Sequence, residues 1–106
     1  MYLKINNKKI TIYEYISFKD KFKSFKFYLD PINFGIKISN KKYANTYFFC
    51  QRVDICFTDK DNIIKYIYKN VKSEKLIIKL HKYNIYYLPV GTCNNLSVGE
   101  KLKIKK

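Results

Sequence analysis

The sequence predicts an α+β fold that is predominantly β: a meandering antiparallel or mixed sheet, barrel-like or sandwich-like, with one short helix near residues 18–28. Three observations lead there. Apolar and polar residues alternate at period two over most of the chain, which sends successive side chains to opposite faces of a strand. One stretch breaks that rhythm, where Phe18, Phe22 and Phe25 recur at helical spacing. The chain of 106 residues is 47% hydrophobic and 28% charged, which suits one domain with one modest core and is too apolar for disorder.

The elements follow in order. Leu3, Ile5, Ile10 and Ile12 alternate with polar residues around Asn6-Asn7, the pattern of an opening hairpin. Ser17-Phe18-Lys19-Asp20 is a loose capping box, with a carboxylate where the helix dipole favours one. Lys19, Lys21, Lys23 and Lys26 lie mostly off the phenylalanine stripe, and Pro31 ends the helix, so the stripe reads as a lid on the sheet. Ile36 and Ile38 flank Lys37 in a further strand. Val53, Ile55 and Phe57 take one face of the next, and Asp54, Cys56 and Thr58 the other.

Asp59-Lys60-Asp61-Asn62 supplies a turn, because Asp and Asn bond their own backbone and tolerate left-handed angles. The return strand runs to Lys69 with Ile64, Tyr66 and Tyr68 on one side. Leu76, Ile78 and Leu80 then alternate with Lys75, Ile77, Lys79 and His81, which places His81 on a solvated, lysine-bearing face. Tyr83, Ile85 and Tyr87 mark the next strand. Residues 101–105 close the chain with Leu102 and Ile104 inside and three lysines outside.

The formal charge of +14 points toward polyanions. The rest of the composition tempers that reading. Lys, Ile, Tyr, Asn and Phe, all with A/T-rich codons, make up 65 residues, whereas Ala, Gly, Pro and Arg make up 7. An A/T-rich genome drives a protein toward lysine with no functional demand. Only Arg52 offers the guanidinium fork favoured for bidentate contacts to bases and phosphates. Two segments interleave basic and aromatic residues, 65–69 and 81–87, as the stacking platforms of single-strand binders do.

No apolar h-region follows Met1–Leu3, and no fully apolar run exceeds the four residues of Tyr47-Phe48-Phe49-Cys50, far short of a membrane span. Cys50, Cys56 and Cys93 are odd in number and lack a C-x-x-C pair, which fits a reducing compartment, so a cytoplasmic location is expected. No metal or cofactor is expected: His81 is the single histidine, no ligand lies at zinc spacing from it, and there is no glycine-rich phosphate loop. Gly91 and Gly99 are expected at positive φ.

Thr46-Tyr47-Phe48-Phe49 leads into Val53-Asp54-Ile55-Cys56-Phe57-Thr58-Asp59, and later come Tyr87-Leu88-Pro89-Val90-Gly91-Thr92 and Val98-Gly99-Glu100-Lys101-Leu102. This ordered set resembles the bacterial and archaeal family called domain of unknown function 192. Phe22–Phe27 and Gly35-Ile36 stand where that family has a Phe-x-Gly-Leu-Met-Phe segment and a Gly-Leu strand, so the likeness runs over nearly the whole chain. It implies a single compact β-rich domain with one short helix, and no established activity. The chain departs from the family at four positions: Asn45 stands for its His, Phe49 for its Met, Arg52 for its Pro and Tyr87 for its Glu. The resemblance makes Asn45, Thr46, Asp54, Tyr87 and Gly91 the candidate ligand-binding residues, with no catalytic residue assigned. Asp54 reads either as a carboxylate bonded to backbone N–H groups or to a lysine, fixing a loop, or as a general base. The function expected is a non-catalytic binding or interaction module whose partner the sequence does not name. The alternative is a weak, sequence-tolerant nucleic-acid binder.

Overall fold

The computed structural model describes residues 1–5, 8–15, 33–46 and 51–105. Seven strands form one sheet: β1 (Tyr2–Ile5), β2 (Lys8–Tyr15), β3 (Phe34–Asn45), β4 (Val53–Thr58), β5 (Ile64–Val71), β6 (Leu76–Pro89) and β7 (Ile104–Lys105). Their order across the sheet is β5-β4-β6-β3-β2-β1-β7. The sheet is mixed, because β2 and β3 run parallel while the other pairs are antiparallel. The opening hairpin is in place, with Ile5 opposite Lys8. The one helical element among the described residues is a 3-10 turn, Thr92–Asn95. The helix expected near residues 18–28 lies outside the described residues.

The sheet curls until its two edges meet. Ile64 N–H donates to the Glu100 carbonyl at 2.8 Å and Leu102 N–H to the Asn62 carbonyl at 2.8 Å, which ties the start of β5 to the chain that leads into β7. That strap makes the architecture barrel-like and leaves less of either edge unpaired.

Curling creates two apolar clusters that share β4 and β6. Val53, Ile55 and Phe57 join Ile36, Ile38, Ala44, Ile85 and Tyr87 on one face. Cys56 joins Leu3, Ile12, Ile64, Tyr86, Leu88, Cys93 and Leu102 on the other. Strand β4 is therefore buried at all six positions, and Asp54 and Thr58 are as inaccessible as Ile55. The expected alternation along β4 holds, but its polar face meets a second core and not solvent. Gly35 sits at the tightest point of that core, where a Cβ would approach Ile12 Cδ1 to 2.6 Å and Leu88 Cδ2 to 2.8 Å.

Two expectations of facing are corrected. Ile64 does not share a side with Tyr66 and Tyr68. The register shifts between Phe57↔Tyr66 and Thr58↔Ile64, so Ile64 turns into the second cluster while Tyr68 packs on the first. A bulge inserts one unpaired residue and so reverses which face the next side chain takes. In the first half of β6 the solvated row is the apolar one. Leu76, Ile78 and Leu80 are exposed, Leu80 at 88%, while Ile77 packs against the first cluster. This half of β6 pairs with the end of β3, Ala44 opposite Ile77, and the two segments fold over the first cluster with Ile77 and Ala44 inward. His81 is exposed, as expected. Leu102 is buried and Ile104 packs beside it, as the closing alternation requires.

The Thr58 hydroxyl is fully buried and has no hydrogen-bond partner among the described residues. An unpaired buried hydroxyl destabilises the folded state by about 1–3 kcal/mol. Thr58→Val keeps the shape and removes the orphan, so urea denaturation should show unchanged or increased stability. A loss above about 1 kcal/mol would mean that the hydroxyl has a partner.

Candidate functional site

The candidate residues fall into two groups, one against each core: one fixes the end of β5 and the turn after β6, the other the connection between β5 and β6. Asp54 is wholly buried. Its Oδ1 accepts the Asn70 N–H at 2.9 Å and its Oδ2 accepts the Cys93 N–H at 2.8 Å. Both donors have a local cause. Between Val53↔Val71 and Ile55↔Tyr68 the register of β5 shifts again, and Asn70 there takes a left-handed φ of 55°. That bulge frees a backbone N–H, which Asp54 captures. Gly91, at φ 93°, turns the chain out of β6 into the 3-10 turn that presents Cys93. Asp54 and Gly91 therefore belong to one device, joined through a backbone amide. The carboxylate performs the loop-fixing role.

Asn45, Thr46 and Tyr87 form the second group. The Tyr87 hydroxyl accepts the Asn45 N–H at 3.2 Å, so the positions that carry His and Glu in the resembled family are in contact here. Burial pushes the Tyr87 phenol up, and the Asn45 N–H opposes that only in part. Thr46 grips the β5–β6 turn through its hydroxyl and its backbone. Its Oγ1 donates to the Lys72 carbonyl at 2.6 Å and accepts the Lys75 N–H at 3.0 Å. Its N–H donates to the Lys75 carbonyl at 3.0 Å, and its carbonyl accepts the Glu74 N–H at 3.1 Å. Glu74 completes the turn at φ 60°.

The two groups thus hold a surface that neither lines. Residues 67–72 and 75–77 wall an open groove of about 560 Å³ beside the turn, with Tyr68 half-buried and Lys69, Lys72 and Lys75 exposed. The groove offers cationic and aromatic walls for an anionic, extended ligand. Sequence reasoning singled out 65–69 as basic and aromatic, but not Lys72 and Lys75, which reach the same wall only because the turn doubles back. The other interleaved segment, 81–87, makes no stacking platform: Tyr86 and Tyr87 are buried in opposite cores. Asp59 serves its turn, with Oδ1 accepting the Asp61 and Ile63 N–H groups at 2.9 and 3.0 Å, and those bonds hold its pKa down.

No group of three or more His, Cys, Asp or Glu among the described residues is placed to hold a metal ion. No helix among them is long and apolar enough to cross a membrane.

No family model matches the chain, and no curated protein does. Two solved structures are similar in fold. A candidate transcription regulator from Sinorhizobium meliloti superposes with a TM-score of 0.75 at 16% identity, over 96% of this chain and 89% of its own. A protein of unknown function from Novosphingobium aromaticivorans gives a TM-score of 0.77 at 11% identity, over 97% of this chain and 82% of its own.

Asp54→Asn replaces one acceptor with an amide donor that faces a buried N–H. It should destabilise the protein by about 1–3 kcal/mol in urea denaturation. A change below about 0.5 kcal/mol would remove Asp54 from the scaffold role.

The cores also set the thiol chemistry. Burial pushes the Cys56 thiol from 9.0 up to about 12, and burial raises Cys93 as well. The unfolded chain therefore loses these protons first. Their contribution to stability is complete below pH 9 and falls as pH rises from there toward 12. Peptide mapping after iodoacetamide treatment at pH 8 should find Cys56 and Cys93 unmodified in the native protein and both modified in denaturant.

Proposed function

We propose that this chain is a non-catalytic binding module, a divergent member of the family called domain of unknown function 192, whose ligand surface is the groove between β5 and the start of β6. One observation carries the binding reading. The polar atoms at the motif positions Thr46 and Asp54 bond backbone groups of Asn70, Lys72 and Lys75, three residues of the groove's wall. Residues that build a surface serve recognition, whereas a general base needs an atom aimed at substrate. The departures Asn45 and Tyr87 support the same reading, because the titratable pair that the resemblance implies is replaced by an amide and a buried phenol. Free, buried Cys56 and Cys93 fit a reducing compartment, in keeping with a cytoplasmic location.

Single-stranded nucleic acid is the ligand favoured by the groove's own chemistry. Lys69, Lys72 and Lys75 offer phosphate contacts, and Tyr68 offers a ring for a base. The likeness in fold to a candidate transcription regulator supports this second reading.

A short oligothymidylate and a heparin-derived oligosaccharide are the probes, titrated at low and near-physiological salt and followed by amide and ring chemical shifts. Shifts concentrated at residues 67–77 support the groove. Shifts spread evenly over every lysine face, or no binding of either probe at low salt, defeat it. Oligothymidylate binding that perturbs the Tyr68 ring supports the nucleic-acid reading, and heparin binding alone removes it. Replacing Lys69, Lys72 and Lys75 together with Gln should flatten the log K against log salt slope by about 2.

A further inference from the structure

Four rings, one of them the groove's Tyr68, converge beside the first half of β6. Phe57 forms the floor. Tyr66, Tyr68 and Tyr83 stand edge-on to it, with centroids 6.1, 5.9 and 6.1 Å away and interplanar angles of 85°, 70° and 80°. Tyr66 and Tyr83 are themselves perpendicular at 5.6 Å. Lys79 directs its ammonium into this box. The nitrogen lies 3.8 Å from the Tyr66 centroid, 5.0 Å from that of Tyr68 and 5.8 Å from that of Phe57. It also donates a hydrogen bond to the Tyr68 hydroxyl.

The sequence register makes this placement informative. Lys79 follows Ile77 at period two onto the face that packs on the first core, just before the register shift that separates Tyr43↔Ile78 from Lys41↔Tyr83 and leaves residues 80–82 exposed. A charge turned that way loses hydration, and the ring faces restore the attraction, because their quadrupoles present negative charge to a cation. The outer neighbours of Lys79, Ile78 and Leu80, are exposed at 67% and 88%, so among the described residues no outer layer covers this stretch of strand. Tyr66 is 37% exposed and leaves the box open to solvent on one side.

We propose that Phe57, Tyr66, Tyr68 and Tyr83 form a cation-binding cage, that the Lys79 ammonium is its resident occupant, and that its external ligand is a methylated alkylammonium. Ring faces favour such a group over a primary amine because its methyls weaken hydration while the charge remains. Lys79 then acts as a tethered competitor. It holds the cage closed to weak ligands and yields to one that outcompetes its millimolar effective concentration.

The test uses the intact chain and its Lys79→Ala variant, titrated with choline and with the uncharged isostere 3,3-dimethylbutan-1-ol, and followed by tyrosine ring resonances. The variant should bind choline saturably. The isostere should bind it at least about five-fold more weakly, since about 1 kcal/mol of cation–π attraction is missing. The unmodified protein should bind choline at least about ten-fold more weakly than the variant, and Tyr66→Leu in the variant background should abolish binding. A folded variant that takes no choline, or one that takes the isostere equally well, overturns the proposal. A parallel titration with Nε-trimethyl-lysine tells a choline-type headgroup from a modified side chain by which binds tighter. The unmodified protein gives a second, independent reading. Its Lys79 ε-methylene should resonate upfield of the other lysines and return toward their position as choline is added. A Lys79 resonance among those of the solvated lysines would overturn the proposal even if the variant failed to fold.

Discussion

A carboxylate on a strand enclosed on both faces must find its partners inside the protein, and β4 imposes that condition on the rest of the molecule. It is buried along its whole length, yet it holds a carboxylate. Asp54 meets the condition by taking two backbone amides, one from the bulge at Asn70 and one from the turn at Cys93. Each amide needs its own irregularity, a left-handed Asn70 and a left-handed Gly91. Bulge, glycine and carboxylate are therefore one structural decision. Removing any member leaves a buried donor or acceptor without its partner, where the loss is largest.

The same logic runs through the opposite core. Tyr87 places an oxygen where Asn45 leaves β3, and Thr46, one residue on, clamps the turn from Lys72 to Lys75. Two unrelated hydrogen-bond systems, on opposite faces of one sheet, hold neighbouring stretches of chain, Asp54 the end of β5 at Asn70 and Thr46 the turn that follows. Together they give the groove beside that turn a fixed shape. A preformed surface loses less entropy on binding than one that must be ordered by its ligand.

Charge is deployed unevenly over this framework. The described ion pair between Lys65 and Asp59 spans 3.8 Å on the surface and contributes little. Most of the described lysines are exposed, where they keep a very basic chain dispersed. Lys79 is different because a strand's fixed period left it facing a core, and tyrosines surround it. Similarity in fold to proteins only 16% and 11% identical fits this picture. A curled sheet is specified by which positions are buried, and many side chains satisfy that demand.

Period-two alternation was enough to read a β-rich sheet and the closing stretch with Leu102 inward, and residue chemistry gave the turn at Asp59 and positive φ at Gly91 and Gly99. Each of these depends on neighbours in the chain, so each leaves a local signature. Facing was legible only until the first bulge. Ile64 and the row of Leu76, Ile78 and Leu80 point opposite to the simple pattern, because bulges and the fold-over of β6 depend on partners far along the chain. The candidate residues were visible as a motif, but their work was not. No spacing reveals that Asp54 would meet the Cys93 amide 39 positions away, or Thr46 the Lys72 carbonyl 26 away. Those contacts exist because β6 lies between β3 and β4, and that strand order is a property of the whole set of strands.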